Sequence, residues 1–176
     1  MKTLSEKQAL LKLRKLKNDF RNLIKRDYEH RAKNCLTCET KGVCCLDAHF
    51  VNVHITKLEA VLIAEELKKK FPAEKREKIY ERIRKTVETF GLNSEGDSFA
   101  KTFACPLFEP ETGCLVHEVK PLPCIHHACY ERSEDLPPER LQTEAETKIE
   151  KLNAQTYRKF PVWLPLPVFL NSIKCD

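Results

Sequence analysis

The residues best suited to chemistry are cysteines. Four of the nine fall within eleven positions, in "CLTCETKGVCC" from Cys35 to Cys45, and the last two are adjacent. Sixty residues later a second group follows in "CPLFEPETGCLVHEVKPLPCIHHAC": Cys105, Cys114, Cys124 and Cys129, at steps of nine, ten and five. A C-x-x-C turn lets two thiolates converge on one ion while backbone N–H groups point at the sulfurs, a device shared by zinc and iron–sulfur sites. In a reducing compartment disulfides rarely persist, so clustered thiols are metal ligands or reactive groups. Cysteine is also a common buried residue, but "CETKGVCC" is too polar for a core segment. Cys44 and Cys45 are the most restrictive feature, because neighbouring side chains diverge and rarely serve one mononuclear ion. They are expected to serve different metal atoms, or to divide into one ligand and one packing residue.

His117 follows Cys114 by three residues, and His126 and His127 lie between Cys124 and Cys129. Each can replace a thiolate or donate its ring N–H to a sulfur from the second shell, although a structural or exposed role is the simpler expectation. His49 and His54, five apart on an expected strand, fall on opposite faces and are not expected to share an ion. No nucleophile elbow, phosphate-cradling glycine motif or H-E-x-x-H is present, and no acid and base pair stands out. No catalytic residue is assigned, and whether the chain is an enzyme stays open.

The cysteine order C-x2-C-x5-C-C, a strand and capped helix, then "CPLF", "CLVHEVKPLPC" and a closing cysteine four residues on resembles the small YkgJ-like family, also named the CxxCxxxCC zinc- or iron-chelating domain. The resemblance spans Cys35 to Cys129, about half the chain. This sequence departs from the family pattern in a longer spacer before Cys44, in Lys120 where arginine is usual, in His117 where tyrosine is common, and in Ile125 where arginine follows the cysteine. Lysine lacks the planar bidentate fork of arginine. The resemblance implies metal binding at Cys35, Cys38, Cys44, Cys45, Cys105, Cys114, Cys124 and Cys129. Eight thiolates suit two zinc sites of four sulfurs each or an iron–sulfur cluster with spare ligands. Iron–sulfur is favoured over zinc because the Cys-Pro pairing is similar to ferredoxin ligand contexts, with electron transfer or sensing as the implied role. Cys175 matches nothing in the pattern. A redox or methyl-transfer enzyme subunit is suggested only by the family's fusion company.

The elements that must hold these loops read as helices. At 176 residues, one domain is expected, mainly α with a small irregular or β element and helices around a cysteine-rich metal-binding centre. Three segments follow from the pattern: an N-terminal amphipathic helix over 1–33, a cysteine-rich segment over 34–130, and a C-terminal helix with a Pro-rich packing tail over 131–176, together one compact unit. From Ser5 to Ala32, Leu10, Leu13, Leu16, Phe20, Leu23, Ile24 and Tyr28 recur at helical spacing, with Ser5 and Gln8 placed for a capping box. Phe50 to Ile55 alternates like a short strand. Thr56 and Glu59 start a helix with Leu58, Val61, Leu62 and Leu67 on its apolar face. Pro72 ends it and opens another with Ile79, Ile83, Val87 and Phe90, capped by Gly91. "LNSEGDSFAKTF" reads as a surface loop, and the region from Cys105 to Cys129 as too rich in Pro and Cys for regular structure. A last helix runs from Pro138 to Tyr157 on Leu141, Ala145, Ile149 and Leu152. Beyond it, Phe160, Val162, Trp163, Leu164, Leu166, Val168, Phe169 and Leu170 form a packing strip.

The 31 Lys and Arg against 26 Asp and Glu give a net charge of +5. "KLRKLKNDFRNLIKR" and "KKKFPAEKREKIYERIRK" would suit RNA or an acidic protein, within a zinc-stapled binding module. Interleaved acids and the lack of an aromatic stacking set make solvated helix faces the simpler reading. "MKTLSEKQALLKLRKLKNDF" has no unbroken apolar run, and "FPVWLPLPVFL" is too short and Pro-rich to cross a bilayer, so a cytoplasmic protein without membrane partner is expected.

Overall fold

The computed structural model describes residues 3–33, 42–46, 52–92 and 101–173. Among them the chain is mainly α-helical with two short antiparallel strand pairs. The elements are α1 Glu6–Asp27, α2 Val43–Leu46, β1 His54–Ile55, α3 Lys57–Lys70, α4 Ala73–Thr89, β2 Phe108–Glu109, β3 Gly113–Cys114, α5 Leu122–His126, α6 Glu139–Tyr157, β4 Leu164–Pro165 and α7 Leu166–Ser172. Single 3-10 turns lie at Glu29–Arg31, His117–Val119 and Ser133–Asp135. No helix among the described residues is long and apolar enough to cross a membrane.

Backbone packing divides the chain into two compact units, each assembled from distant stretches. In one, the described N-terminal residues join Lys120–Pro161. Here α1 packs against α5 and α6. Ser5 and Gln8 form the reciprocal capping box at the start of α1, satisfying two of its otherwise orphaned N–H groups. The helix stops at Asp27, earlier than its apolar period predicts, and passes into the 3-10 turn. Ala9, Leu10, Leu13, Phe20 and Ile24 are buried on α1, with Ala145 and Ile149 on α6. Tyr157 donates its hydroxyl hydrogen to Glu6 Oε2 at 2.7 Å, tying the end of α6 to the start of α1. The surprise is Lys17, only 1% exposed, whose ammonium donates to the Lys120 carbonyl at 3.1 Å and anchors the chain entering α5. A long stem packs like an apolar side chain while its head finds an oxygen.

The other unit joins Gly42–Val119 with the chain from Val162. α7 packs against α3 and α4, and β1 pairs with β4 in the register His54 with Pro165 and Ile55 with Leu164. Thr56 and Glu59 close the second capping box. α3 is broadly buried, through Leu58, Ala60, Leu62, Ile63 and Leu67, whereas α4 buries only Ile79, Tyr80 and Ile83. Gly91 takes a left-handed φ of +54°, with its N–H bonded to the Glu88 carbonyl and the Leu92 N–H to that of Val87. That double bond is the Schellman ending that the glycine predicts. Leu92 and Phe103, at the ends of the expected surface loop, are buried together beside Val87 and Val168.

Three expectations need correction. Phe90 is exposed, because the Schellman turn swings it off the buried stripe of α4. Phe160 and Val162 are exposed at 94% and 56%, Trp163 and Leu164 are half-buried, and the strip is fully buried only from Pro165, through Leu166, Pro167 and Leu170. The second cysteine region holds a regular element after all: α5 carries Cys124, because Pro123 stands in the first turn, where a missing N–H costs nothing. Phe50, at the start of the expected strand, lies outside the described residues, and β1 itself covers only His54 and Ile55.

His54 gives this unit a pH dependence. Its ring is buried, with Nδ1 2.9 Å from the Asn52 carbonyl oxygen. Burial pushes its pKa below the ordinary 6.5, and the backbone bond only partly opposes this. The folded state therefore binds the proton less readily than the unfolded chain, so stability holds above the ordinary imidazole value and is lost as pH falls below it. The melting temperature is expected to drop between pH 7 and pH 5, and His54→Gln to flatten that drop. An unchanged pH profile in the variant would contradict this role.

Candidate metal centre

The Gly42–Val119 stretch brings the end of the first cysteine cluster to the start of the second. Gly42 turns the chain with φ +73°, and its carbonyl accepts the Cys45 N–H at 2.7 Å, closing the short helix α2 that carries Cys44 and Cys45. The Cys105 N–H then donates to the Cys45 carbonyl at 2.8 Å. This backbone bond closes sixty residues of sequence. From Cys105 the chain turns, with Phe108 N–H on the Cys105 carbonyl, into the β2–β3 hairpin, where Phe108 stands opposite Cys114. Cys44, Cys45, Cys105 and Cys114 are all half-buried, and none forms a disulfide.

The thiols sense one another. Burial pushes the Cys105 thiol up to about 12, and the charges of Cys114 and Cys44 add to the rise, while the Leu107 backbone N–H and Arg82 act against it. As a bare thiol, Cys105 stays protonated at neutral pH. The hairpin is fixed from α4: Lys75 donates to both Glu109 carboxylate oxygens at 2.7 and 2.9 Å, and Arg82 to Oε1 at 2.8 Å. These cations, Lys75 first, hold the Glu109 carboxyl below its ordinary range. Arg82 also donates from Nε to the Pro106 carbonyl at 3.2 Å.

Cys124 and Cys129 belong to the other unit, on α5 and just beyond it. The Cys129 carbonyl accepts the Lys33 N–H at 2.9 Å, and Ala32 bridges to Tyr130. The eight expected ligands are thus distributed: four in the Gly42–Val119 stretch, Cys124 and Cys129 in the unit containing α1, and Cys35 and Cys38 outside the described residues, as are His49 and Cys175. Among the described residues no three His, Cys, Asp or Glu side chains are arranged to hold a metal ion. The donor type suits a thiophilic metal: Cys44, Cys45, Cys105 and Cys114 are half-buried thiols, and a backbone bond joins Cys45 to Cys105.

His117 is exposed on its 3-10 turn, 3.7 Å from the Glu118 carboxylate. His126 stacks on Phe20, ring centroids 6.3 Å apart, and burial lowers its pKa against the opposing Pro138 and Pro137 backbone. His127 is lowered by burial and then by the neighbouring His126 and Lys120.

Sequence reasoning missed Arg82, Lys75 and Glu109. The first two sit in a basic stretch that reads as a solvated face, and several of its charges are indeed paired locally, Lys78 with Glu74 and Arg84 with Glu77. Their reach to Glu109 depends on tertiary packing that no local pattern records.

Gly42 offers a direct probe of the approach. A Cβ there would run into the Phe108 ring, whereas Gly113, at φ +81°, has nothing within 4 Å. Both alanine variants bear the left-handed backbone cost of about 1–2 kcal/mol. Gly42→Ala is expected to be the more destabilised in denaturant titration, because it also drives the hairpin away from α2. Equal losses would show that Phe108 yields freely.

Comparison with family models, with curated proteins and with solved structures finds no match for this chain.

Proposed function

We propose that the chain is a metal-binding protein that uses its clustered cysteines as ligands, as the resemblance to the YkgJ-like family implies, with an iron–sulfur cluster favoured over zinc. The observation that carries this reading is the Cys105 N–H to Cys45 carbonyl bond, which joins two cysteine clusters far apart in sequence. Half-buried thiols that only pack as small hydrophobes need no such convergence across a polar loop.

Within Gly42–Val119, α2 carries Cys44 and Cys45, the turn before the hairpin carries Cys105 and β3 carries Cys114, and the Lys75–Glu109–Arg82 pairs hold the hairpin on α4. When bound, zinc would supply a structural cross-link and an iron–sulfur cluster a one-electron couple. Because the Cys105 thiol is protonated when bare, loading releases protons and tightens as pH rises. The proposed role is cofactor-stapled loops that sense or transfer electrons or metal.

Thiol accessibility tests the reading. With an alkylating probe under native conditions, the clustered cysteines of the protein as isolated should be protected and become reactive after chelation. Equal reactivity before and after chelation would contradict it.

A further inference from the structure

Phe160 is the most exposed large apolar side chain among the described residues, at 94%. A lone exposed phenylalanine calls for no explanation, but the setting of this one does. It follows Arg158 and Lys159, where α6 ends with Arg158 in a left-handed turn at φ 55°. Three bonds tie that turn to the start of α1. The Leu4 N–H donates to the Gln155 carbonyl at 3.2 Å, the Tyr157 hydroxyl to Glu6 at 2.7 Å, and Arg158 Nη2 to Thr3 Oγ1 at 3.3 Å. Two exposed cations and an open aromatic ring therefore leave α6 beside the first turn of α1, within one compact unit.

The solvent face of α1 continues this charge. Lys7, Lys15 and Lys25, with Asn18 and Asn22 between the last two, are exposed at helical spacing, and Lys12 and Arg26 lie two heptads apart on the adjoining stripe. The row runs about 27 Å along the helix. In the sequence, interleaved acids blur it; in the structure each of those acids is engaged. Asp19 pairs with Lys15 at 2.6 Å, Asp27 with Arg26 at 2.6 Å, and Glu6 accepts from Tyr157. Exposed pairs of this kind are weak and yield to a competing anion. Lys7, Lys12 and Lys25 have no counterion among the described residues. A row of cations that tracks phosphates, with an aromatic ring on which a base stacks, is how proteins hold single strands without sequence preference. We propose that the solvent face of α1, together with Arg158, Lys159 and Phe160, binds single-stranded nucleic acid. An anionic membrane would call for an apolar helix face to insert, and that of α1 is spent on α5 and α6. An acidic polypeptide would match the charge but offers the ring no planar base. The surface lies apart from Gly42–Val119 and does not depend on metal binding.

Fluorescence anisotropy of a labelled oligouridylate with the full chain as isolated tests this, across a salt series starting at about 50 mM. Phe160→Ala is expected to bind about 5- to 100-fold more weakly, the loss of one stacked base, with the salt dependence unchanged. Phe160→Trp should keep the affinity. The triple variant Lys7→Gln, Lys12→Gln, Lys25→Gln should do the reverse, lowering the slope of log affinity against log salt by about 2, at roughly 0.7 per phosphate contact on a single strand. All the substituted side chains are exposed, so the melting temperatures should match the wild type. Absence of binding at the lowest salt would overturn the proposal, as would wild-type affinity in Phe160→Ala. Tighter binding to vesicles of anionic lipid or to polyglutamate than to the oligonucleotide would overturn it in favour of a membrane or an acidic protein.

Discussion

Cys105→Ser is expected to reduce the metal content of the purified protein and to lower its melting temperature. Cys105 stands at the junction of the two cysteine clusters, with its N–H on the Cys45 carbonyl and its thiol under the influence of Cys44 and Cys114. A ligand that binds only the folded state stabilises it by about 4 kcal/mol when present at a thousand times its dissociation constant. Chelation should therefore destabilise the wild type strongly and leave Cys105→Ser nearly unaffected. Serine keeps the size and the backbone bond, so the loss reports on the sulfur. The same logic separates the adjacent pair. Cys44→Ser and Cys45→Ser are expected to differ in metal loss, because neighbouring side chains diverge and rarely serve one ion. Equal loss of the same single metal from both would argue against that division of labour.

Ile83→Ala should destabilise the Gly42–Val119 unit by about 2–5 kcal/mol, the range for deleting a fully buried aliphatic side chain. Ile83 is 0% exposed and is one of the three residues that α4 buries. Phe90→Ala at the end of the same helix, 40% exposed, serves as the control and should cost far less despite the larger deletion. Chemical denaturation of both variants checks the order. A reversed order would mean that the apolar period of α4 continues into its last turn. Since α4 also carries Lys75 and Arg82, which hold Glu109 of the hairpin, Ile83→Ala is expected to weaken metal retention indirectly as well.

What could be read in the sequence was local. The Ser5–Gln8 and Thr56–Glu59 boxes and the Gly91 ending are each written within a few residues, and each forms as expected. The pairing of β1 with β4 joins His54 to Pro165 across most of the chain, and no local period encodes it. The burial of Lys17 is invisible because its charge reads as surface until the Lys120 carbonyl comes within reach. The start of the Pro-rich strip departs from its expected burial because apolar composition alone does not say where a chain turns back to its core. Phe160 precedes that turn and Leu166 follows it. For the centre, cysteine spacing named the donors, and tertiary structure supplied what spacing lacks: the bond from Cys105 to Cys45, the near approach of Gly42 to Phe108, and the cations that fix Glu109.

The central claim is tested most directly by the metal content and visible spectrum of the protein as isolated, from parallel aerobic and anaerobic purifications. Thiolate ligation predicts a bound thiophilic metal. A broad visible charge-transfer band identifies the favoured iron–sulfur cluster, and stoichiometric zinc in colourless protein identifies the alternative. Metal-free protein from both preparations, still well folded by circular dichroism, would contradict the account.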